Sequence, residues 1–564
     1  MSRQHGMAAA LLALALAAGA ASAAEAGAAP AAGPAELSVA FNALELQFDP
    51  QHSIYSAEAQ IFTGVYEGLF SYDPSNLDPV KAACRSFSRS RDGLTYTFYL
   101  RDEAKWSDGS PLLARDFRDA WLRALSPAEK ADYAAFFDVI AGAKDYRLGK
   151  AKDPASVGVS VIDDRVLQVR LAAPAAYFTR LLCHHSFSPV HPSMLKTRDW
   201  EKAFPFPVNG PYKPASYKKG EPGELLLVRN PLYWDASSIR IDKVRIVLTD
   251  DDAEVTRLYD NGEMQWLAGP MDLDALLNRS AIQVSPMFGT QYWFFDCSGE
   301  PWRSADLRRG LALLLPWKEI RSRDSYLMPA KTLVLPFDGY EKAKGIEETD
   351  EEAGRALLAK AGYPDGKGLP PLMILVPADG EDAARVAALM EAAWERLPGL
   401  AVELKKVPSA SYFSVVRAGP AKGGYTMALT TWIGDFADPL AFLGMWTADS
   451  NLNDSGYADT EFDALLAASA SKEGDARLDV LAEAETLLLS GAAVLPTYHS
   501  IAVNVVDSDY LEGWFSNALD LHPFKYLGFG ERRVRPNVAR LPGAAAAAAR
   551  PSRAGETELV AALH

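Results

Sequence analysis

Trp432 and Asp435 are the residues whose types and spacing most directly suggest ligand chemistry in this chain. They begin the segment 432–439, which follows an apolar run, 425–431, typical of a buried strand. A carboxylate at the end of a buried strand is costly unless a positive charge meets it. Because no Lys or Arg lies within several residues on either side, a cationic group of a ligand is a candidate partner for Asp435.

A second carboxylate in the same segment has a different interpretation. Asp438 directly precedes Pro439. An Asp followed by Pro is typical of a helix start, where the carboxylate accepts backbone N–H bonds and Pro occupies the first helical position. We therefore predict a structural role for Asp438.

Known enzyme and metal motifs offer weaker alternatives. Ser193 and Lys196 match the SxxK pattern of penicillin-interactive serine enzymes, but no accompanying SDN or KTG element is present. His184, His185 and His191 cluster within eight residues and could bind a metal. Since adjacent residues of an extended segment point to opposite sides, solvated or packed histidines are the simpler expectation. We predict no metal site and no cofactor.

Composition limits the class of protein. The chain has 564 residues, 49% hydrophobic and 23% charged, which is ordinary for globular proteins but too long for one hydrophobic core. The net charge of −16 argues against nucleic acid or an anionic membrane surface as the main partner.

Both ends of the chain differ from the interior. Arg3 and His5 precede an apolar run, 7–18, and a small-residue cleavage site at 21–23, so residues 1–23 are predicted to be a cleavable signal peptide. No Cys lies near this point, so we expect no lipid anchor. Residues 24–35 are predicted to be disordered, and residues 531–564 to form a low-complexity tail.

Hydrophobic periodicity between the two ends indicates an α/β fold. Alternation predicts strands at 37–41, 95–100 and 166–171, and a helical face predicts a helix at 114–125. Further along, a strand at 372–376, a helix ending before Pro398 and a strand at 400–404 form a βαβ unit, which favours a parallel sheet. A helix is also predicted around 478–488.

Several short segments occur together in a familiar order, and through them the chain resembles the family 5 extracellular solute-binding proteins, above all the oligopeptide-binding receptors. The resemblance covers about residues 37–530. The segments are 66–69 (YEGL), 106–111 (WSDGSP) followed by 116–117 (DF), 209–212 (NGPY), 229–234 (RNPLYW), 262–263 (GE), 306–309 (DLRR) and 432–439 (WIGDFADP).

The resemblance implies an α/β fold of the periplasmic binding protein type (large cluster C), with two hinged lobes and three domains. Ligand would be buried when the lobes close. The implied boundaries are 36–79, 205–288 and 504–530 for a discontinuous domain I, 80–204 for domain II and 289–503 for domain III.

The same resemblance implies roles for individual residues. Asp435 would pair with the α-ammonium of a peptide, and Trp432 would line a side-chain pocket. Backbone groups around Gly434 would pair with an extended peptide like an added strand. The equivalent backbone on the other lobe comprises Glu67, Gly68 and Leu69. Tyr498 lies where the chain should return through the hinge, so it either contacts ligand or packs in the core.

One departure from the family pattern concerns the peptide carboxylate. Oligopeptide receptors carry an Arg shortly before the Trp-x-x-Asp motif, whereas this chain has Leu429.

The predicted function is a monomeric periplasmic peptide receptor that delivers its ligand to an ABC permease and ATPase complex in the inner membrane, without catalysis. One alternative is a non-peptide cargo such as a nickel complex, a sugar or another amine. The others are a secreted hydrolase using Ser193 and Lys196, and a scaffold or sensor that kept the fold and lost transport.

Overall fold

The computed structural model describes residues 35–531, except 44, 198–199, 201–203, 323–327, 338, 435 and 437. The predicted signal peptide (1–23), residues 24–34 of the segment predicted to be disordered, and residues 532–564 of the predicted tail lie outside the described residues.

The strands and helices are numbered here in chain order. The strands are β1 Glu36–Phe41, β2 Phe70–Tyr72, β3 Pro79–Lys81, β4 Cys84–Arg89, β5 Thr95–Leu100, β6 Val159–Asp163, β7 Val166–Arg170, β8 Tyr212–Lys218, β9 Gly223–Arg229, β10 Lys243–Leu248, β11 Trp266–Ala268, β12 Ile282–Phe295, β13 Met328–Pro329, β14 Leu372–Pro377, β15 Val402–Val407, β16 Met427–Ile433, β17 Val494–Val506, β18 Leu511–Glu512 and β19 Gly528–Phe529. The α-helices are α1 Ser56–Val65, α2 Ala114–Leu125, α3 Ala143–Arg147, α4 Phe178–Leu181, α5 Asp252–Asp260, α6 Ala305–Leu313, α7 Trp317–Ile320, α8 Glu351–Lys360, α9 Glu381–Trp394, α10 Ser409–Arg417, α11 Pro420–Gly423, α12 Leu440–Leu443, α13 Thr460–Ser469 and α14 Gly474–Ser490.

One mixed sheet runs through the molecule in the order β15-β14-β16-β12-β17-β11-β1-β10-β9-β8. One end of this sheet, formed by β1 and β8–β11, belongs to a first lobe. The same lobe contains a separate antiparallel sheet of order β4-β5-β7-β6. Its β14–β16 end belongs to a second lobe. The predicted α/β fold with two lobes is confirmed.

The two longest strands, β12 and β17, connect the lobes. They pair antiparallel along almost their whole length, with a register shift between Pro286 and Thr290. The β12 residues before the shift pair with the part of β17 that also pairs with β11. The β12 residues after the shift pair with β17 on one side and with β16 on the other. The predicted domain boundaries near 289 and 503 fall within these strands, where a shifted register permits bending.

Local patterns predicted several elements to the residue. The strand 95–100 and the helix 114–125 have the predicted bounds. Strands β14 and β15 are parallel and are joined through helix α9, as the βαβ pattern indicated. Strands β15 and β16 begin two residues later than predicted, because a turn brings the Leu400 amide to the Leu397 carbonyl and Gly424 adopts a left-handed conformation before β16.

The turn at 106–111 is tied to the helix that follows it. Asp116, in the first turn of α2, accepts hydrogen bonds from the Trp106 indole (3.1 Å) and from the Leu113 amide (2.9 Å). This carboxylate therefore satisfies the helix start where Leu113 offers no hydroxyl.

In the described part of the chain, no helix is both long and apolar enough to cross a lipid bilayer.

Candidate functional site

A cavity of about 280 Å³ lies between the lobes. The first lobe contributes residues from α1, from the segment after it and from 183–188; the second contributes residues from β12, α10, β16 and 445–455. A ligand in this cavity would contact both lobes at once. Its size is near the lower end for small-ligand sites, which are roughly 300–1,000 Å³.

The two lobes also contact each other directly, through residues outside the cavity wall. The Phe436 ring lies 6.2 Å from Tyr177, in a stacked arrangement, and 5.7 Å from Phe136. An ion pair joins Lys144 to Asp449 at 2.5 Å. The described conformation is therefore a closed one.

The end of β16 forms one wall of the cavity. Trp432 is half-buried and donates its indole N–H to the Ala441 carbonyl at 2.9 Å. Gly434 donates its amide to the Phe288 carbonyl at 2.6 Å. A Cβ at Gly434 would lie 2.5 Å from the Phe288 ring, so the close packing requires glycine. Asp435 follows directly and lies outside the described residues, as does Ala437.

Asp438, three residues further on, is held by a buried cation. Arg477 of α14 donates two hydrogen bonds to its carboxylate, at 2.7 and 2.8 Å. The Asp438 carboxylate also accepts the Leu440 amide at the start of α12, at 3.0 Å. These contacts agree with the structural role predicted for Asp438.

On the opposite wall, Glu67 is the centre of a buried polar cluster. Its carboxylate accepts hydrogen bonds from the Tyr233 hydroxyl (2.5 Å), the Trp234 indole (2.6 Å) and the Lys525 ammonium (3.2 Å). Its backbone N–H and C=O both bond to the Asn209 side chain. Three of the segments noted in the sequence, 66–69, 209–212 and 229–234, thus meet at one residue.

Comparison with known proteins agrees with this architecture. Residues 78–454 match the family described as "Bacterial extracellular solute-binding proteins, family 5 Middle". The chain belongs to this family.

Two relatives and one solved structure illustrate the similarity. The dipeptide-binding protein DppE of Bacillus subtilis is 26% identical over 465 residues, or 80% of this chain and 84% of the relative. The periplasmic oligopeptide-binding protein OppA of Salmonella typhimurium is 28% identical over 485 residues, or 82% and 87%. The crystal structure of Haemophilus influenzae OppA in complex with RPPGFSPFR shares the fold, with a TM-score of 0.75, 24% identity and coverage of 88% and 99%. The resemblance predicted from sequence is thereby confirmed.

The remaining predicted site residues of this solute-binding protein occupy different positions. Gly68 lines the cavity, whereas the buried Leu69 does not. The carbonyl groups of both accept backbone bonds from residues 82–84. Tyr498 is 1% exposed and lies away from the cavity wall. Its hydroxyl donates to the Ile320 carbonyl at 2.5 Å and accepts from Arg385 at 2.8 Å, so its contacts are those of a packed core residue.

Leu429 of β16 is tied to helix α10 through Tyr412. Its backbone N–H and C=O both bond to the hydroxyl of Tyr412, at 2.9 and 3.0 Å, and its side chain is buried. The Lys and Arg residues that the structure describes in the cavity wall are Lys525 and Arg417, and neither belongs to β16. Sequence reasoning missed them because neither belongs to a segment that marks the family.

The histidine cluster separates into two environments. His184 and His185 line the cavity with ring centroids 4.1 Å apart, and burial lowers the pKa of His184 to about 3. His191 instead contacts Ser193 (2.7 Å) and Asp108 (3.3 Å), outside the cavity wall. Ser193 thus meets His191 in an exposed turn, and Lys196 is also exposed. Family 5 is a family of binding proteins, and neither residue of the hydrolase alternative lies at its binding cavity.

Proposed function

We propose that this chain is the peptide-binding receptor of an ABC importer, located in the periplasm. It holds a peptide between its lobes and delivers it to a membrane permease with its ATPase. The main support is the cavity between the lobes. Both lobes supply its walls, and the part of the wall that β16 supplies extends to Gly434, one residue before Asp435. The names of the relatives support a peptide as cargo.

In this proposal the Asp435 carboxylate pairs with the α-ammonium of the peptide. Trp432 contacts a peptide side chain, and backbone groups around Gly434 and Gly68 pair with the peptide main chain. The backbone of Glu67 is already bonded to Asn209, and Leu69 lies outside the cavity wall, so neither is assigned to the peptide. Main-chain pairing accepts many sequences. The side chain of Glu67 would take no direct part, because Tyr233, Trp234 and Lys525 already occupy its carboxylate.

Tyr498 is assigned to the hinge rather than to the ligand. It lies on β17 opposite Gln291 of β12 and links α7 and α9 through its hydroxyl. Binding would shift the population toward the closed state, since only that state lets the peptide contact both lobes.

The first test is native mass spectrometry of the mature protein purified without refolding. We expect a ladder of co-purified masses that fit short peptides, greatly reduced in Asp435→Asn. The matched control is Asp454→Asn, which removes the second-lobe carboxylate found among the described residues of the cavity wall and should retain the ladder.

Three outcomes would contradict the proposal in different ways. One discrete non-peptide mass would indicate a different cargo in the same fold. Loss of the ladder in Asp454→Asn but not in Asp435→Asn would show that the peptide ammonium pairs with Asp454 and not with Asp435. A protein that is empty and binds no member of a peptide panel would argue against peptide cargo.

A further inference from the structure

The cavity wall is rich in aromatic side chains, and both lobes supply them. Those of the first lobe include Phe62, Tyr66 and Tyr133, and those of the second include Tyr292, Phe294 and Trp446. Within the second lobe, Trp446 packs edge-on against Tyr292 and Phe294, with ring centroids 5.8 and 6.4 Å away. This packing fixes the rings as a rigid apolar surface.

Three large apolar side chains of this wall are exposed even though the lobes are closed. Ile54 and Tyr55, at the start of α1, are 45% and 55% exposed, and Phe413 of α10 is 48% exposed. Phe413 shares one helical face with Val416 and Arg417, which also line the cavity. Apolar surface left in water favours an apolar partner, at roughly 25 cal/mol per Å² covered.

The oppositely charged side chains that the structure describes in the wall are already paired with each other. Glu67 pairs with Lys525 at 3.2 Å, and Asp454 pairs with Arg417 at 3.5 Å. These four residues make up the full set of Asp, Glu, Lys and Arg side chains among the described residues of the wall. His184 adds no charge at neutral pH, because burial lowers its pKa. A charged ligand side chain would lose its water and gain no free counter-charge from these pairs.

From the exposed apolar contacts and the paired charges together, we propose that this receptor selects peptides with aromatic or branched aliphatic side chains. Tyr55 and Phe413 are the specificity-determining residues, one from each lobe. The inference rests on the proposed peptide-binding function and adds the class of side chain that the cavity accepts.

The test is a calorimetric titration with tripeptides of one length. Ala-Phe-Ala, Ala-Leu-Ala, Ala-Lys-Ala and Ala-Glu-Ala are compared with Ala-Ala-Ala, and each substitution is also moved to the first and third positions. At one or more positions we expect Phe and Leu to bind about tenfold or more tighter than Ala, as expected for burying a large apolar side chain. Lys and Glu should bind no tighter than Ala at any position.

Single variants then connect the preference to the wall. Phe413→Ala and Tyr55→Ala should each bring the Phe-to-Ala affinity ratio closer to one. The matched control is Phe515→Ala, because Phe515 is 47% exposed but lies outside the cavity wall. All three side chains are about half exposed, so a thermal melt should show each variant folded.

The results separate the inference from the function on which it rests. Equal affinity for all peptides, or tighter binding of Lys or Glu peptides, would overturn the selectivity while leaving a peptide receptor. A Phe preference unchanged in both cavity variants would overturn the assignment to Tyr55 and Phe413. Absence of binding by every peptide would overturn the peptide function and the selectivity together.

Discussion

The guanidinium carbon of Arg477 lies 4.9 Å from the centre of the Tyr177 ring, on the opposite side of the interface between the lobes. The same guanidinium holds Asp438, and the Tyr177 ring also stacks on Phe436. Phe436 and Asp438 therefore take part, directly or through Arg477, in contacts that join the two lobes.

Replacing Tyr177 by Ala should weaken peptide binding by roughly fivefold to thirtyfold, because cation–π and aromatic pairs together contribute about 1–2 kcal/mol. Calorimetry measures the affinity, and small-angle scattering should show a larger radius of gyration at equal peptide concentration. Tyr177→Phe keeps the ring and should retain most of the affinity. Equal affinity and equal dimensions in Tyr177→Ala would show that the contact does not govern closure.

Gly434→Ala should lower peptide affinity about tenfold or more, without unfolding the protein. The added Cβ would lie 2.5 Å from Phe288 and 2.8 Å from Phe442, so the strand end must move, and such overpacking costs about 1–3 kcal/mol. Gly444→Ala is the control, because no heavy atom lies within 4 Å of a Cβ there. Fluorescence titration with one peptide compares the two variants, and equal affinities would contradict the close-packing argument.

Lys525→Met should lower the free energy of unfolding by about 3–5 kcal/mol, since it leaves the buried Glu67 carboxylate without its cation. The control is Lys331→Met, whose pair with Glu347 has the same 3.2 Å separation but is exposed. It should cost about 1 kcal/mol or less. Urea unfolding measures both, and similar losses would mean that burial does not strengthen the Glu67 pair.

Glu485 should make the protein less stable as pH rises from about 5 to 8. Burial raises its pKa to about 7, while the Leu333 and Val334 amides and the Tyr340 hydroxyl oppose that rise. When folding raises the pKa of a carboxyl group, its contribution to stability is fully present below the pKa that the group has in the unfolded chain. The contribution is lost as the pH rises through the pKa that the group has in the folded protein. Glu485→Gln keeps an acceptor for the amides and should flatten this part of the profile.

Thermal unfolding at several pH values tests this prediction. Glu483→Gln, at an exposed position on the same helix, should keep the wild-type pH dependence. A wild-type profile unchanged by Glu485→Gln would indicate that other groups govern stability in this range.

The sequence alone determined the elements whose signals are local. Alternating residues predicted strand β5, and one apolar face with first-turn Asp116 predicted helix α2, both with their observed bounds. The order of short segments also determined the family, because turns and motifs keep their spacing along the chain. The lobes, the hinge and a site between them followed from that family resemblance.

Only the tertiary structure decided which groups meet across long sequence separations. The absence of a nearby base around 432–439 applied equally to Asp435 and Asp438, yet Arg477, 39 residues later, satisfies Asp438. Similarly, Glu67 carried a family motif, but its partners come from 166, 167 and 458 residues away. Such pairs depend on how packed elements approach each other, and a one-dimensional pattern contains no distance between them. For this reason the sequence determined where a binding site should lie, and the fold decided which side chains form its walls.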